Sequence, residues 1–419
     1  MIEELLERFA ATPSVKTAAL RAARRVDALP QNDTNRRVRA AVLSAFEAEA
    51  LTETDLWGTM GYGYDDAARA HYESLLARVL NAETVLARLS LVSGTHAIVT
   101  AISACVRTGE RLVVATGRPY DTLRNALVEA PHSLVRGGIQ YAEVPLGDDG
   151  KPQIDALVEH CAEGCAAVFV QRSRGYAPRP SLSAATCGEV AAAVKTVAPD
   201  VPVLVDNCYG ELVEEHEPTA HGCDVLIGSL IKNLGGGLAP GGAYIAGRRQ
   251  FVERIAAYHY APGIGSAIGP TFGFGRAFVQ GLFQAPLVIG ESLAGLDFAA
   301  ALFAELGYPV DPLPGAVRRD VVQAIRLGDP GRLMAFARGM QRAMPVNARF
   351  VPEPGPVPGY PEAVIMSTGA FVPGSTIDLS CDAPLRAPYD VYVQGGMMRE
   401  HVVLGALRAA EGLWDAGIL

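Results

Sequence analysis

Two residues of this chain, Lys232 and Asp206, have the types and settings that chemistry requires. Lys232 lies in Gly228-Ser229-Leu230-Ile231-Lys232-Asn233, directly after the apolar run Val225-Leu226-Ile227 and ahead of Gly235, Gly236 and Gly237. An amine there stands at the mouth of a sheet, followed by backbone able to bend closely around a bound group. Upstream, the strand-like Val203-Leu204-Val205 ends in Asp206. A primary amine condenses with a carbonyl, and a carboxylate stabilises the proton on a cationic ring nitrogen. At the carboxyl ends of two buried strands, the pair suits a heterocycle that carries an aldehyde.

Two further segments fall at predicted strand ends. Val92-Ser93-Gly94-Thr95-His96-Ala97 is a small-residue turn that opens a helix, where Ser93, Gly94 and Thr95 offer backbone N–H groups and hydroxyls to a phosphate. The same turn also serves as an ordinary helix cap. Gly117-Arg118-Pro119-Tyr120-Asp121-Thr122 places Tyr120 where it can stack on a flat ring, or simply pack at the start of a helix that Asp121 caps. Singly, each segment has a plain structural reading, and so do Asp206 as a cap and Lys232 as a surface lysine. Phosphate turn, aromatic, acid and lysine on successive strands form a set that chance rarely supplies. That set matches pyridoxal 5′-phosphate: the lysine forms the Schiff base and the acid keeps the pyridine nitrogen protonated.

The elements that must hold these residues are legible as alternation. Residues 1–60 read as a helical arm, in which Val38, Val42, Ala45 and Phe46 share one face. The loop Gly58-Thr59-Met60-Gly61-Tyr62-Gly63-Tyr64-Asp65-Asp66 follows. Residues 61–285 alternate apolar strands (85–89, 112–115, 139–144, 167–170, 203–205, 225–227 and 243–246) with helices (95–106, 121–130, 154–161 and 184–197). Such a pattern predicts an α/β domain with a mostly parallel sheet buried on both faces. Residues 286–419 read as a smaller α+β domain: a helix at 286–305, strands at 364–367 and 376–379 in a partly antiparallel sheet, and a final helix at 402–413.

Composition narrows the partners. The chain has 419 residues, 49% of them hydrophobic and 19% charged, with a net charge of −9. That charge argues against nucleic acid or an anionic membrane as a partner. No uninterrupted apolar run reaches the roughly 18 residues of a membrane span, and the acidic, amphipathic start at Met1–Glu7 is unlike a signal peptide. Seven scattered cysteines suit a reducing cytoplasm. His216, His221 and Cys223 lack ligand spacing, so no metal is expected. No G-x-G-x-x-G follows a first strand, which disfavours a Rossmann dehydrogenase.

The sequence resembles the fold-type I (aspartate aminotransferase-like) pyridoxal-phosphate enzymes. Within them it is similar to the cystathionine/methionine lyase group, and in particular to the aluminium-resistance or methionine γ-lyase-like proteins. The residues that carry the likeness are Ser93-Gly94-Thr95-His96-Ala97-Ile98, Gln171-Arg172-Ser173-Arg174-Gly175-Tyr176, Val205–Glu211, Gly228–Asn233, Gln280-Gly281-Leu282-Phe283 and Gln394-Gly395-Gly396. The resemblance implies that Lys232 is the cofactor lysine and also the base for the substrate Cα proton. Asp206 is implied as the partner of the ring nitrogen and Tyr120 as the stacking residue. Gly94, Thr95 and Ser229 are implied at the phosphate, joined by Tyr62 or Tyr64 from a neighbouring subunit in a homodimer or homotetramer. Arg386 is implied for the substrate carboxylate, with Arg174 and Arg172 as rivals. Leu91 and Val92 before the Ser-Gly-Thr turn, and Met397-Met398-Arg399-Glu400-His401, depart from the family pattern and would reshape the pocket.

The implied activity is a lyase reaction on an L-amino acid, expelling a β- or γ-substituent by way of aldimine and quinonoid intermediates, most simply with carbon–sulfur cleavage. Loss of chloride from a vinylic chloro-amino acid to give an alkynyl product, or γ-replacement by an added nucleophile, would use the same parts. Burial and the nearby cofactor are expected to bring the Lys232 pKa down toward neutrality.

Overall fold

The computed structural model describes residues 2–9, 11–30 and 33–419. The chain divides into two compact units, Thr34–Pro286 and the combination of Met1–Asp33 with Leu287–Leu419. Residues up to Asp33 group with the C-terminal unit, and helix Asp33–Glu49 begins the larger one.

Seven strands form the sheet of the larger unit: β1 (Thr84–Arg88), β2 (Arg111–Val114), β3 (Gln140–Glu143), β4 (Ala167–Gln171), β5 (Val203–Asp206), β6 (Val225–Ser229) and β7 (Ala243–Gly247). Their spatial order is β1-β7-β6-β5-β4-β2-β3. β6, β5, β4, β2 and β3 run parallel, whereas β7 is antiparallel to both β6 and β1. Every residue of β4 to β7 is buried, as a sheet covered on both faces demands.

Helix Gly94–Cys105 packs Ala97, Ile98, Ala101 and Ile102 into a core shared with Leu86, Val114, Phe169, Leu204 and Ile227. Helix Arg249–His259 adds Phe251, Val252 and Ile255 to it. Each large side chain so buried contributes about 1.5–3 kcal/mol, which makes the sheet a stiff platform. Gln171 pairs in register with Asp206, and Asp206 with Ile227. The carboxyl ends of β4, β5 and β6 therefore finish on one edge, where ligands of open parallel sheets bind.

The smaller unit carries β8 (Val310–Asp311), β9 (Val322–Arg326), β10 (Val364–Thr368), β11 (Ser380–Pro384) and β12 (Asp390–Gln394), in the order β10-β11-β12-β9-β8 with all neighbours antiparallel. The strand expected at 376–379 starts later, at Ser380, because Leu379 turns into the left-handed region at φ 88° and breaks the extended run. The helix expected from Pro286 starts earlier, at Gly275, and takes Pro286 into its interior. That helix is long and apolar enough to cross a membrane, but 67% of its most apolar window is buried inside the protein, as in a core helix.

Candidate active site

Helix Gly94–Cys105 begins at the Ser-Gly-Thr turn. Ser93 caps it, its Oγ accepting from the His96 N–H at 3.1 Å, so the Ser93 hydroxyl does work for the helix itself. The N–H groups of Gly94 and Thr95 precede the helical ladder and point out of its positive end. Gly94 must be small. A Cβ there would come to 3.3 Å from Cys208 Sγ and 3.6 Å from Ser229 Cβ. The helix start thus lies against the loop after β5 and the end of β6.

Tyr120 joins this group through its hydroxyl, 2.8 Å from Thr95 Oγ1. Its backbone N–H donates to Gln171 Oε1 at 2.9 Å, and Gln171 Nε2 donates in turn to Ser173 O at 3.1 Å. Arg179 braces the same loop, donating to the carbonyls of Thr116, Gln171 and Ser173 at 3.0, 3.2 and 2.7 Å. Sequence reading passed over Gln171 and Arg179 as positioning residues. Gln171 gave a signal, as the one amide in an otherwise apolar strand.

Asp206 ends β5 fully enclosed, with Oδ1 accepting the Cys208 N–H at 3.1 Å. Burial pushes its carboxyl above the usual range, although the Cys208 backbone and thiol, Lys232 and Arg179 pull the other way. Lys232 follows β6, and its Nζ sits 3.6 Å above the centre of the Tyr209 ring. Tyr209 holds that place in the left-handed region at φ 71°, a strained setting for an aromatic residue. Burial draws the Lys232 ammonium down. Tyr209, Cys208 and Asp206 more than offset that, and the net shift is upward. The expected fall toward neutrality is tied to the bound cofactor, and these three neighbours act against it.

The three arginines separate. Arg172 is buried and committed. It donates to Asn207 Oδ1 at 2.5 Å, pairs with Glu214 at 2.6 Å and Glu217 at 3.1 Å, and lies so tightly on Gly210 that a Cβ there would meet the guanidinium at 2.6 Å. A fork occupied in this way braces the loop after β5. Arg174 is buried two residues further along the loop after β4, its backbone N–H bonded to Ser181 Oγ at 3.2 Å. Arg386 lies in the smaller unit after β11, half-exposed and 3.5 Å from Glu362. Arg399, from the divergent Met-Met-Arg-Glu-His stretch, begins helix Arg399–Asp415 and lies 3.6 Å from Asp27.

Tyr62 and Tyr64 are 75% and 60% exposed, on a loop that is anything but loose. Asp66 Oδ2 gathers the N–H and hydroxyl of both Thr59 and Thr271 at 2.7–3.0 Å. Arg69 Nη1 clamps the carbonyls of Gly63 and Gly269, each at 2.7 Å. The two rings are presented outward from a fixed frame.

These residues fit pyridoxal phosphate. A half-buried amine and a buried carboxylate stand near enough for their charges to interact. The carboxyl is raised by burial and would gain from a ring cation. A Cβ-free helix start offers a cradle of N–H groups beside Ser229. The chain has four lysines, Lys16, Lys151, Lys195 and Lys232. Lys195 is paired with Asp224 at 2.9 Å and Lys151 lies 3.8 Å from Asp149, so Lys232 alone meets the chemical requirement.

The family model for methionine gamma-lyase matches residues 14–414. The uncharacterized protein YnbB of Bacillus subtilis (strain 168) is 39% identical over 382 residues, covering 90% of this chain and 91% of that one. A solved structure from Clostridium acetobutylicum, described as a proposed cystathionine β-lyase involved in aluminum resistance, is 36% identical with a TM-score of 0.92 and covers 98% of both chains. More distantly, the pyridoxal-5′-phosphate-dependent protein YhfS of Escherichia coli shares the fold, at 18% identity and a TM-score of 0.62 over 91% of this chain and 96% of that one. The chain belongs to the methionine gamma-lyase family, fold-type I lyases that act on carbon–sulfur bonds with pyridoxal 5′-phosphate as cofactor.

Proposed function

We propose that this enzyme eliminates a sulfur substituent from the β or γ carbon of an L-amino acid. The observation that carries the reading is the pair at adjacent strand ends, the enclosed Asp206 closing β5 and the half-buried Lys232 following β6. When bound, pyridoxal phosphate supplies an electron sink for the charge that develops at the substrate Cα.

This chain's residues do the rest. Lys232 Nζ would hold the cofactor aldehyde and, as a free amine, would take the substrate Cα proton. Asp206 keeps a proton on the ring nitrogen, and its enclosure strengthens that attraction. Tyr120 covers a ring face, oriented by Thr95 and Gln171. Gly94, Thr95 and Ser229 hold the phosphate, with Tyr62 or Tyr64 reaching it from a second subunit of a homotetramer. Arg386 or Arg174 receives the substrate carboxylate. The leaving sulfur departs with its bonding electrons and takes up a proton as a thiol. Free thiols at all seven cysteines support a cytoplasmic site of action.

The test is to incubate the holoenzyme with L-cystathionine, L-methionine and S-alkyl-L-cysteines, and to measure thiol, ammonia and 2-oxo acid. Equimolar release of the three supports the reading, and the oxo acid's chain length distinguishes β from γ elimination. Chloride release from chloro-amino acids with no thiol from any sulfur substrate would overturn it.

A further inference from the structure

Behind the Asp206/Lys232 pair lies a buried acid that the reaction above does not use. Glu211 is fully enclosed in the loop after β5. Its Oε1 accepts the Tyr244 hydroxyl at 3.1 Å, while Oε2 is buried with no hydrogen-bond partner. Tyr244 pairs in register with Gly228, and a Cβ on Gly228 would lie 2.7 Å from both Glu211 Oε1 and the Tyr244 hydroxyl. The carboxyl therefore rests on the backbone of β6 next to Ser229, just ahead of Lys232. Asn233, the neighbour of Lys232, ties the two loops together by donating to the carbonyls of Tyr209 and Glu211 at 3.0 and 2.9 Å.

We propose that Glu211 is a positioning residue for the proton on Lys232: ionised, its carboxyl favours the ammonium form of Lys232, and protonated, it favours the free amine. Lys232 takes its proton from the substrate Cα, and the charge of an ionised Glu211 offsets the charge that Lys232 then carries. An uncompensated charge there would be costly. The unpartnered Oε2 is the oxygen that carries the movable proton. Burial, with Glu217 adding to it, pushes Glu211 up to about 8, although its backbone, Tyr244 and Lys232 pull it down. A group at that value changes state within the working pH range of a lysine base.

The charged and titratable groups around it come from every neighbouring element. β7 gives Tyr244, and β5 with its loop gives Asp206, Cys208, Tyr209 and Glu217. The end of β6 gives Lys232, and β4 leads to Arg172, which reaches Glu217 at 3.1 Å. Arg172 is shared between Glu214 and Glu217, so that cluster has no positive charge to spare for Glu211.

The inference rests on the reading that Lys232 bears the proton, and the experiment keeps the two apart. In the full chain freed of cofactor, the pH dependence of reductive methylation at Lys232 is followed by peptide mass spectrometry, with Lys195 as the internal control. In Glu211→Gln the Lys232 midpoint should fall by about one pH unit, the mark of coupled titration. Tyr244→Phe, which leaves Glu211 harder to ionise, should lower it less, and Lys195 should not move. In the holoenzyme, the pH midpoint of the visible cofactor band should move the same way.

Midpoints that stay put in both variants, even with an altered melting temperature, would overturn the inference and leave Glu211 a packing residue. If Glu211→Gln does not fold, Tyr244→Phe and Glu211→Asp decide, the latter retaining part of the coupling. A Lys232→Ala enzyme that keeps its band and its turnover would instead sink the proposed function.

Discussion

Arg172→Ala separates a loop brace from a substrate-binding arginine. Arg172 is 1% exposed and faces Glu214 at 2.6 Å and Glu217 at 3.1 Å, with Asn207 on the same nitrogen as Glu217. Removing it leaves the buried Glu217 and the partly exposed Glu214 without their cationic partner. Breaking a buried ion pair from one side costs about 3–5 kcal/mol. For a unit of this size each kcal/mol moves the melting temperature by roughly 2–4 °C, so a fall of about 10 °C is expected. Thermal unfolding and steady-state kinetics well below the transition are the assays. The loss should show in stability and cofactor retention, with KM for the amino acid changing little. An unchanged melting temperature with a tenfold higher KM would refute the brace and restore Arg172 as the carboxylate ligand.

Further expectations follow from the same geometry. Asp66 is drawn to about 2; burial opposes this, but the N–H and hydroxyl donors of Arg69, Thr59 and Thr271 outweigh it. Because the folded value lies below the ordinary 3.8, its contribution is present above pH 4 and lost as pH falls toward 2. At about 1.4 kcal/mol per unit this amounts to about 2 kcal/mol, which Asp66→Asn should remove at neutral pH while flattening the acid limb of a urea-unfolding series. Tyr120→Phe loses only the 2.8 Å bond to Thr95, a few-fold in cofactor dissociation at about 1 kcal/mol. Tyr120→Ala also loses the ring and should weaken retention at least tenfold more. Equal effects would mean that the hydroxyl, not the ring, holds the cofactor.

Much of this site could be read from the chain because its parts sit where local pattern is strongest. Apolar runs of three or four residues mark β4, β5 and β6 so clearly that Asp206 and Lys232 fall at strand ends by inspection. What the sequence hid is long-range. Arg172 looked like a ligand because a motif does not show Glu214 and Glu217 folding back onto it. The rise in the Lys232 pKa comes from Tyr209, whose left-handed backbone is not written in residue type. Tyr244 and Gly228 had a faint signal, a phenol and a glycine inside otherwise apolar strands, but it becomes legible only once β7 pairs antiparallel with β6. In the smaller unit β9 and β12 were missed. Their alternation is broken by the buried Gln323 and Gln394, held by Arg318 and Asp382 respectively.

The most direct measurement is to treat the holoenzyme with borohydride, which fixes an amine-bound aldehyde as a stable secondary amine, and to map the modified peptide among the four lysines. The mass of reduced cofactor on the peptide containing Lys232, absent from those of Lys16, Lys151 and Lys195, is the predicted result. Cofactor fixed to another lysine, or to none while the protein is active, would contradict the account.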